Sequence, residues 1–201
     1  MKANCIFNGF ARLIIALALT TLAITMKADR TTNQILFDFS TATNSPGWEV
    51  VNDDVMGGVS TSQFQVQTND CAVFSGTVRL ENNGGFASVR SAPVRGNLVG
   101  CAAFILRARG DGRTYKFSVR TAAGFNTPLY QCSFKTKPGE WEEHQLVFSE
   151  FVPTFRGRVL TDVPSLDPAK IRSVGFLIAD NQAGAFRLEI GWIKASPAIR
   201  P

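Results

Sequence analysis

One histidine, two tyrosines and four cysteines are spread over 201 residues, and each scarcity closes a class of function. With His144 alone there is no second imidazole for a metal set, and the chain contains no HExxH, GxSxG or CxxC. The neighbours of His144 (Glu142, Glu143, Gln145) supply neither a nucleophile nor a second base, so it reads as a solvent-facing strand residue. These gaps predict a protein that is not an enzyme, with no catalytic residues, no metal and no cofactor. Cys5, Cys71, Cys101 and Cys132 are too far apart for a zinc or redox pair and read mainly as small buried hydrophobes. Sixteen Phe against two Tyr favours aromatics packed inside over a surface built for stacking on bases or sugars.

Acid is missing from residues 1–28, where Lys2, Arg12 and Lys27 are the only charges. Setting these three of the 21 basic residues aside leaves 18 against 16 acidic ones, a balance that gives no reason to expect nucleic acid. The uncharged run Leu13 to Met26 is short for a membrane span, which takes about 20 residues, and fits the apolar core of a signal peptide. Residues 1–28 are therefore expected to be a signal peptide or membrane anchor. Cys5 precedes the run, so it is not a lipid-attachment site. The expected location is exported, periplasmic or extracellular, with membrane contact only through an uncleaved N-terminus.

Helical periodicity is also missing after the leader. Apolar residues recur at every second position instead, as in Phe104, Leu106, Ala108 and in Tyr115, Phe117, Val119. That is the strand signal, with one dry face and one wet one, and it predicts stacked antiparallel sheets. Residues 29–201 read as a single all-β domain. Turn signals at Gly110 to Gly112 and at Asn181 to Gly184 predict hairpins, and Lys137 to Trp141 predicts a sharp turn. Asp167 before Pro168 predicts one short helical turn. Residues 151–164 read as the longest irregular loop.

Two stretches stand out. WEVVNDDVMGGVS runs from Trp48 to Ser60, and ENNGGF runs from Glu81 to Phe86. Each is a polar cluster leading into paired glycines, which suit tight turns with positive φ. Each also carries a large apolar residue, Met56 or Phe86, that a simple chain reversal does not need. The candidate binding residues are Trp48, Asn52, Asp53, Asp54, Met56, Gly57 and Gly58, with Asn82, Asn83, Gly84, Gly85 and Phe86. Asp53 and Asp54 suggest an acid/base pair or a calcium site; bonds from Asn52 and Asp53 to nearby backbone are the preferred reading. Arg107, Arg109, Arg113 and Arg120 surround the GDGR turn and read as a solvated sheet face rather than an anion or partner patch. Trp48, Trp141 and Trp192 read as packing residues before sugar platforms.

The two stretches, together with FSGTVRLENNGGFASVR, RARGDGRTYKFSVRT and the late GFLIADNQAGAFRLEIGWI, occur in an order that resembles the complex I intermediate-associated protein 30 family. The likeness spans about residues 35–194. It implies a galactose-binding-like, jelly-roll-like antiparallel β-sandwich. It also implies a protein-binding module that serves as an assembly factor or chaperone for a membrane complex, and it supplies no catalytic residues. The alternative expectation is an exported carbohydrate-binding module, with Trp48 and Asn52 to Asp54 as its only candidate set.

Overall fold

The alternating runs become strands in the computed structural model, which describes residues 32–40, 47–67, 70–124 and 127–197. The expected leader lies outside the described residues. In chain order the strands are β1 (Gln34–Asp38), β2 (Glu49–Asn52), β3 (Thr61–Gln67), β4 (Cys71–Val78), β5 (Ala87–Arg90), β6 (Cys101–Arg109) and β7 (Thr114–Arg120). They continue as β8 (Leu129–Lys135), β9 (Trp141–Val147), β10 (Val152–Phe155), β11 (Arg158–Val159), β12 (Ser173–Ile178) and β13 (Gly184–Pro197).

All the strand pairings are antiparallel and form two sheets. One runs β3-β4-β13-β6-β9 with β1 added on β13, and the other runs β11-β10-β8-β7-β12-β5-β2. The long β13 organises the first sheet: Gly184 to Ile190 pair with β4, and Trp192 to Ala195 pair with β1. The expected all-β, jelly-roll-like antiparallel sandwich is what the chain forms.

Burial follows the alternation. On β7 Tyr115, Phe117 and Val119 are buried, and Lys116, Ser118 and Arg120 are only half-buried. Phe104 of β6 meets Phe117 of β7 edge-on, ring centroids 5.0 Å apart, and so joins the two sheets. Each such phenylalanine contributes roughly 1.5–3 kcal/mol through burial. Cys71, Cys101 and Cys132 are buried and form no disulfide among the described residues, and burial pushes the Cys132 thiol up to about 11.

Three local expectations change. The turn at Gly110 to Gly112 joins β6 to β7, and the one at Asn181 to Gly184 joins β12 to β13, so each passes between sheets and closes no hairpin. The supposed loop 151–164 contains the β10–β11 hairpin, turned by Arg156 and Gly157 at φ 49° and 77°. His144 does not face solvent. It lies opposite buried Leu106, its ring packs 4.9 Å from Phe134 of the other sheet, and Nε2 is buried with no hydrogen-bond partner. The short turn at Pro168–Lys170 forms as expected, with the Asp167 carboxylate accepting from Ala169 N–H.

Candidate functional site

Strand β2 runs into a 3-10 turn at Asp53–Met56, and β4 is followed by another at Glu81–Asn83. Each turn leads into its glycine pair, so the sequence echo is also a structural one. β2 and β5 pair directly, Asn52 opposite Ala87, which brings the two loops to the same end of the sandwich.

Asp53 joins them. Its carboxylate is fully buried and accepts four hydrogen bonds. Oδ1 accepts from Ser60 N–H at 2.9 Å. Oδ2 accepts from Ser60 Oγ at 2.6 Å, Gly85 N–H at 2.7 Å and Phe86 N–H at 3.2 Å. Burial alone would raise the carboxyl's pKa, but the bonds from Ser60, Gly85 and Phe86 outweigh it and hold the pKa below the ordinary value. Ser60 Oγ in turn accepts from Arg79 N–H at 2.9 Å, and Ser62 Oγ donates to Asn52 Oδ1 at 2.6 Å.

The four glycines divide two tasks between them. Gly57 and Gly85 take φ 89° and 129°, a region that side chains avoid. Gly58 and Gly84 give the carboxylate room: a Cβ on Gly58 would lie 2.4 Å from Asp53 Cγ, and one on Gly84 would lie 2.6 Å from Oδ2. Asn82 and Asn83 are left-handed at φ 57° and 58°, which asparagine tolerates better than most residues.

Apolar side chains remain outside this lock. Val55, Met56, Val59 and Leu80 are 67%, 61%, 40% and 43% exposed. Phe86 is half-buried, and Asp54 points to solvent while Asp53 is enclosed. The two carboxylates therefore do not converge. The donors on Asp53 occupy the oxygens that a general base or a calcium ligand would use, so its carboxylate ties backbone; Asn52, expected to do the same, instead accepts from the Ser62 side chain.

Trp48 sits elsewhere. Its ring stacks on Phe64 at 4.6 Å and also contacts Phe37, Phe39 and Phe176, so it buttresses the core beneath β2. The arginines divide too. Trp141 lies under Arg107 and Arg109 on the first sheet, while Arg113 donates to the carbonyls of Gln182 and Ala183. Sequence reasoning missed Ser60 as the local partner of Asp53, and Val55, Val59 and Leu80 as exposed apolar residues. The Ser in GGVS and the valines flanking Met56 were the available signals.

The sequence pattern described as complex I intermediate-associated protein 30 matches residues 37–190. The mouse (Mus musculus) protein named complex I intermediate-associated protein 30, mitochondrial, is 27% identical over 180 residues, which cover 80% of this chain and 55% of that protein. The Neurospora crassa protein of the same name is 33% identical over 84 residues, 41% of this chain and 30% of its own length. The chain thus spans about half the length of the mouse relative and less of the fungal one. Among solved structures, the family 11 carbohydrate-binding module of a Clostridium thermocellum cellulase has a TM-score of 0.64 at 16% identity, covering 85% of this chain and 98% of that one. An agarase, AgWH50C, has a TM-score of 0.57 at 15% identity, covering 84% of this chain and 25% of that one. These likenesses show the fold, a galactose-binding-like β-sandwich.

The relatives also correct one expectation. They are named as mitochondrial proteins, which points to the mitochondrion and overturns the expected exported or membrane-anchored location. The misreading has a physical source. A basic, acid-poor N-terminus is common to secretory leaders and to organelle-targeting ones, so Lys2, Arg12 and Lys27 do not tell them apart.

Proposed function

Because the chain belongs to the complex I intermediate-associated protein 30 family, we propose that it is a non-enzymatic assembly factor that binds a protein partner through the two locked loops. The names of the relatives, which refer to association with complex I intermediates, support this partner class. One observation carries the placement: Val55, Met56, Val59 and Leu80 are exposed on loops that a buried carboxylate fixes to one another. Apolar side chains held out on a rigid frame bind with little loss of conformational freedom. A polar rim surrounds them, with Asp54 and the Arg79–Glu81 ion pair, as at interface centres.

The test is co-purification from mitochondrial membranes with the full chain as bait. Wild type should retain complex I subunits or their subassemblies, and Val55→Ser with Leu80→Ser should lose them while melting like wild type. Equal recovery by both proteins would overturn the reading.

A further inference from the structure

The outward face of the seven-stranded sheet carries a cavity that lies apart from the locked loops. On the six-stranded sheet the outward polar residues Gln63, Gln65, Thr77, Glu143 and Gln145 are exposed. On the seven-stranded sheet Ser88, Lys116, Ser118 and Gln131 are half-buried, while Ser133 and Lys135 on the same face are exposed. The half-buried positions lie lower than these exposed neighbours, and this part of the face forms a trough. A cavity of about 440 Å³ opens in it, lined among others by Lys116, Gln131, Ser133, Glu150, Val152 and Val159. That volume is within the range of about 300–1,000 Å³ usual for ligand sites.

The strand register shows what crosses the floor. Val152, Gln131, Ser118 and Gly175 follow one another across β10, β8, β7 and β12. Gly175 keeps the floor low: a Cβ there would lie 2.2 Å from the Val89 carbonyl oxygen. Among the described residues, the side chains of Ser118, Gln131, Ser133 and Glu150 make no hydrogen bond. The other sheet contrasts with this. There Gln63 bonds Ser75, Gln65 bonds Gln63, and Glu189 is held by Arg109 and Arg187.

The geometry points to a binding site in this trough for a neutral polyhydroxylated ligand, a short oligosaccharide. An amide and two hydroxyls can each donate and accept, and the Glu150 carboxylate accepts, as a run of sugar hydroxyls requires. Of the cations bordering the trough, Lys116 is matched by Asp180 at 2.7 Å and Arg90 by Glu49, while exposed Lys135 on β8 is offset by Glu150 in the lining, so no single sign of charge dominates and a strongly charged ligand is not selected. Val152 and Val159, 42% and 65% exposed, form an apolar wall suited to the C–H face of a pyranose ring. A polypeptide fits less well. The sheet's own ladders occupy its backbone groups, and the lining of the cavity has no aromatic anchor.

The test uses the isotopically labelled full chain titrated with cellotetraose, maltotetraose and a β-1,3-1,4-mixed-linked glucan tetrasaccharide, read by amide chemical shifts. At least one sugar should shift amides of β7, β8 and β10. Gln131→Ala with Ser133→Ala should weaken that binding by about tenfold, the scale of lost neutral hydrogen bonds, with melting unchanged. The inference is overturned by an absence of shifts with all three sugars at millimolar concentration. It is also overturned by shifts elsewhere on the chain, by equal binding to the double variant, or by a captured protein partner protecting these strands from hydrogen exchange. The trough shares no residue with the locked loops, so this result and the co-purification result stand or fall separately.

Discussion

The carboxylate of Asp53 accepts a hydrogen bond from Gly85 N–H at 2.7 Å across a sequence separation of 32. That contact makes two turns a single rigid element. Without it each loop would have to be ordered by its own short 3-10 turn, a structure with few internal bonds.

Asp53→Ala should therefore be among the more damaging single changes outside the apolar core. It leaves the amides of Ser60, Gly85 and Phe86 without their acceptor in a buried site, and a loss of roughly 3 kcal/mol is expected. Thermal melting checks the size. Asp53→Asn should lose less, because its carbonyl oxygen still accepts. The pH dependence has a definite sign. The folded pKa is depressed, so the stabilisation is present above the unfolded value of about 3.9 and is lost as pH falls through the folded one. Asp53→Asn should abolish that part of the acid slope.

The glycines should separate by mechanism. Gly57→Ala meets open space, so only the positive φ opposes it, at a cost of about 1–2 kcal/mol. Gly58→Ala and Gly84→Ala drive a methyl group into the Asp53 carboxylate and should break the lock itself. In denaturant melts both should destabilise more than Gly57→Ala. Hydrogen exchange at the Gly85 and Phe86 amides should rise in these two variants and stay near wild type in Gly57→Ala.

His144 gives a second pH signal in a higher window. Burial is the main influence lowering its pKa; Lys137 adds to it and Glu142 opposes it. The native state resists a proton that the unfolded chain takes up near the ordinary value of about 6.5. Stability should therefore fall as pH drops from about 6.5 toward the lower folded pKa, and level off below it. His144→Leu should flatten this slope in melts between roughly pH 5 and 7. A slope unchanged by the substitution would assign it to other groups.

The sequence showed the strands more plainly than it showed their partners. Period-two alternation marks Tyr115, Phe117 and Val119 as inward, because burial is a local property of a pleated chain. A Gly-Asp-Gly turn looks the same whether the next strand pairs beside the last or crosses to the opposite sheet, so the β6–β7 and β12–β13 connections were misread. β10 was hidden by its length of four residues and by Pro153, which belongs near sheet edges. The inward phase of His144 was legible, since it lies two positions before Leu146, but a polar residue is expected outside. In the site, the glycine pairs and Met56 were visible. The tie from Asp53 to Gly85 was not, because nothing local to either residue specifies so distant a partner.

Met56 and Phe86 should respond oppositely to truncation. Met56 is 61% exposed on the first loop, so its side chain contributes little to folding, and Met56→Ala should change stability by no more than about 0.5 kcal/mol. Phe86 is half-buried, its amide holds Asp53, and β5 begins directly after it. Phe86→Ala should cost roughly 2–4 kcal/mol, somewhat below full core truncations because part of the ring is already wet. If the exposed patch binds the partner, Met56→Ala will lower recovery of complex I subunits at unchanged melting temperature. Any loss of recovery in Phe86→Ala will follow its loss of stability and will be restored by Phe86→Leu, which refills most of the space. Normal recovery by Met56→Ala would remove Met56 from the interface, and a large drop in its melting temperature would make it a structural plug.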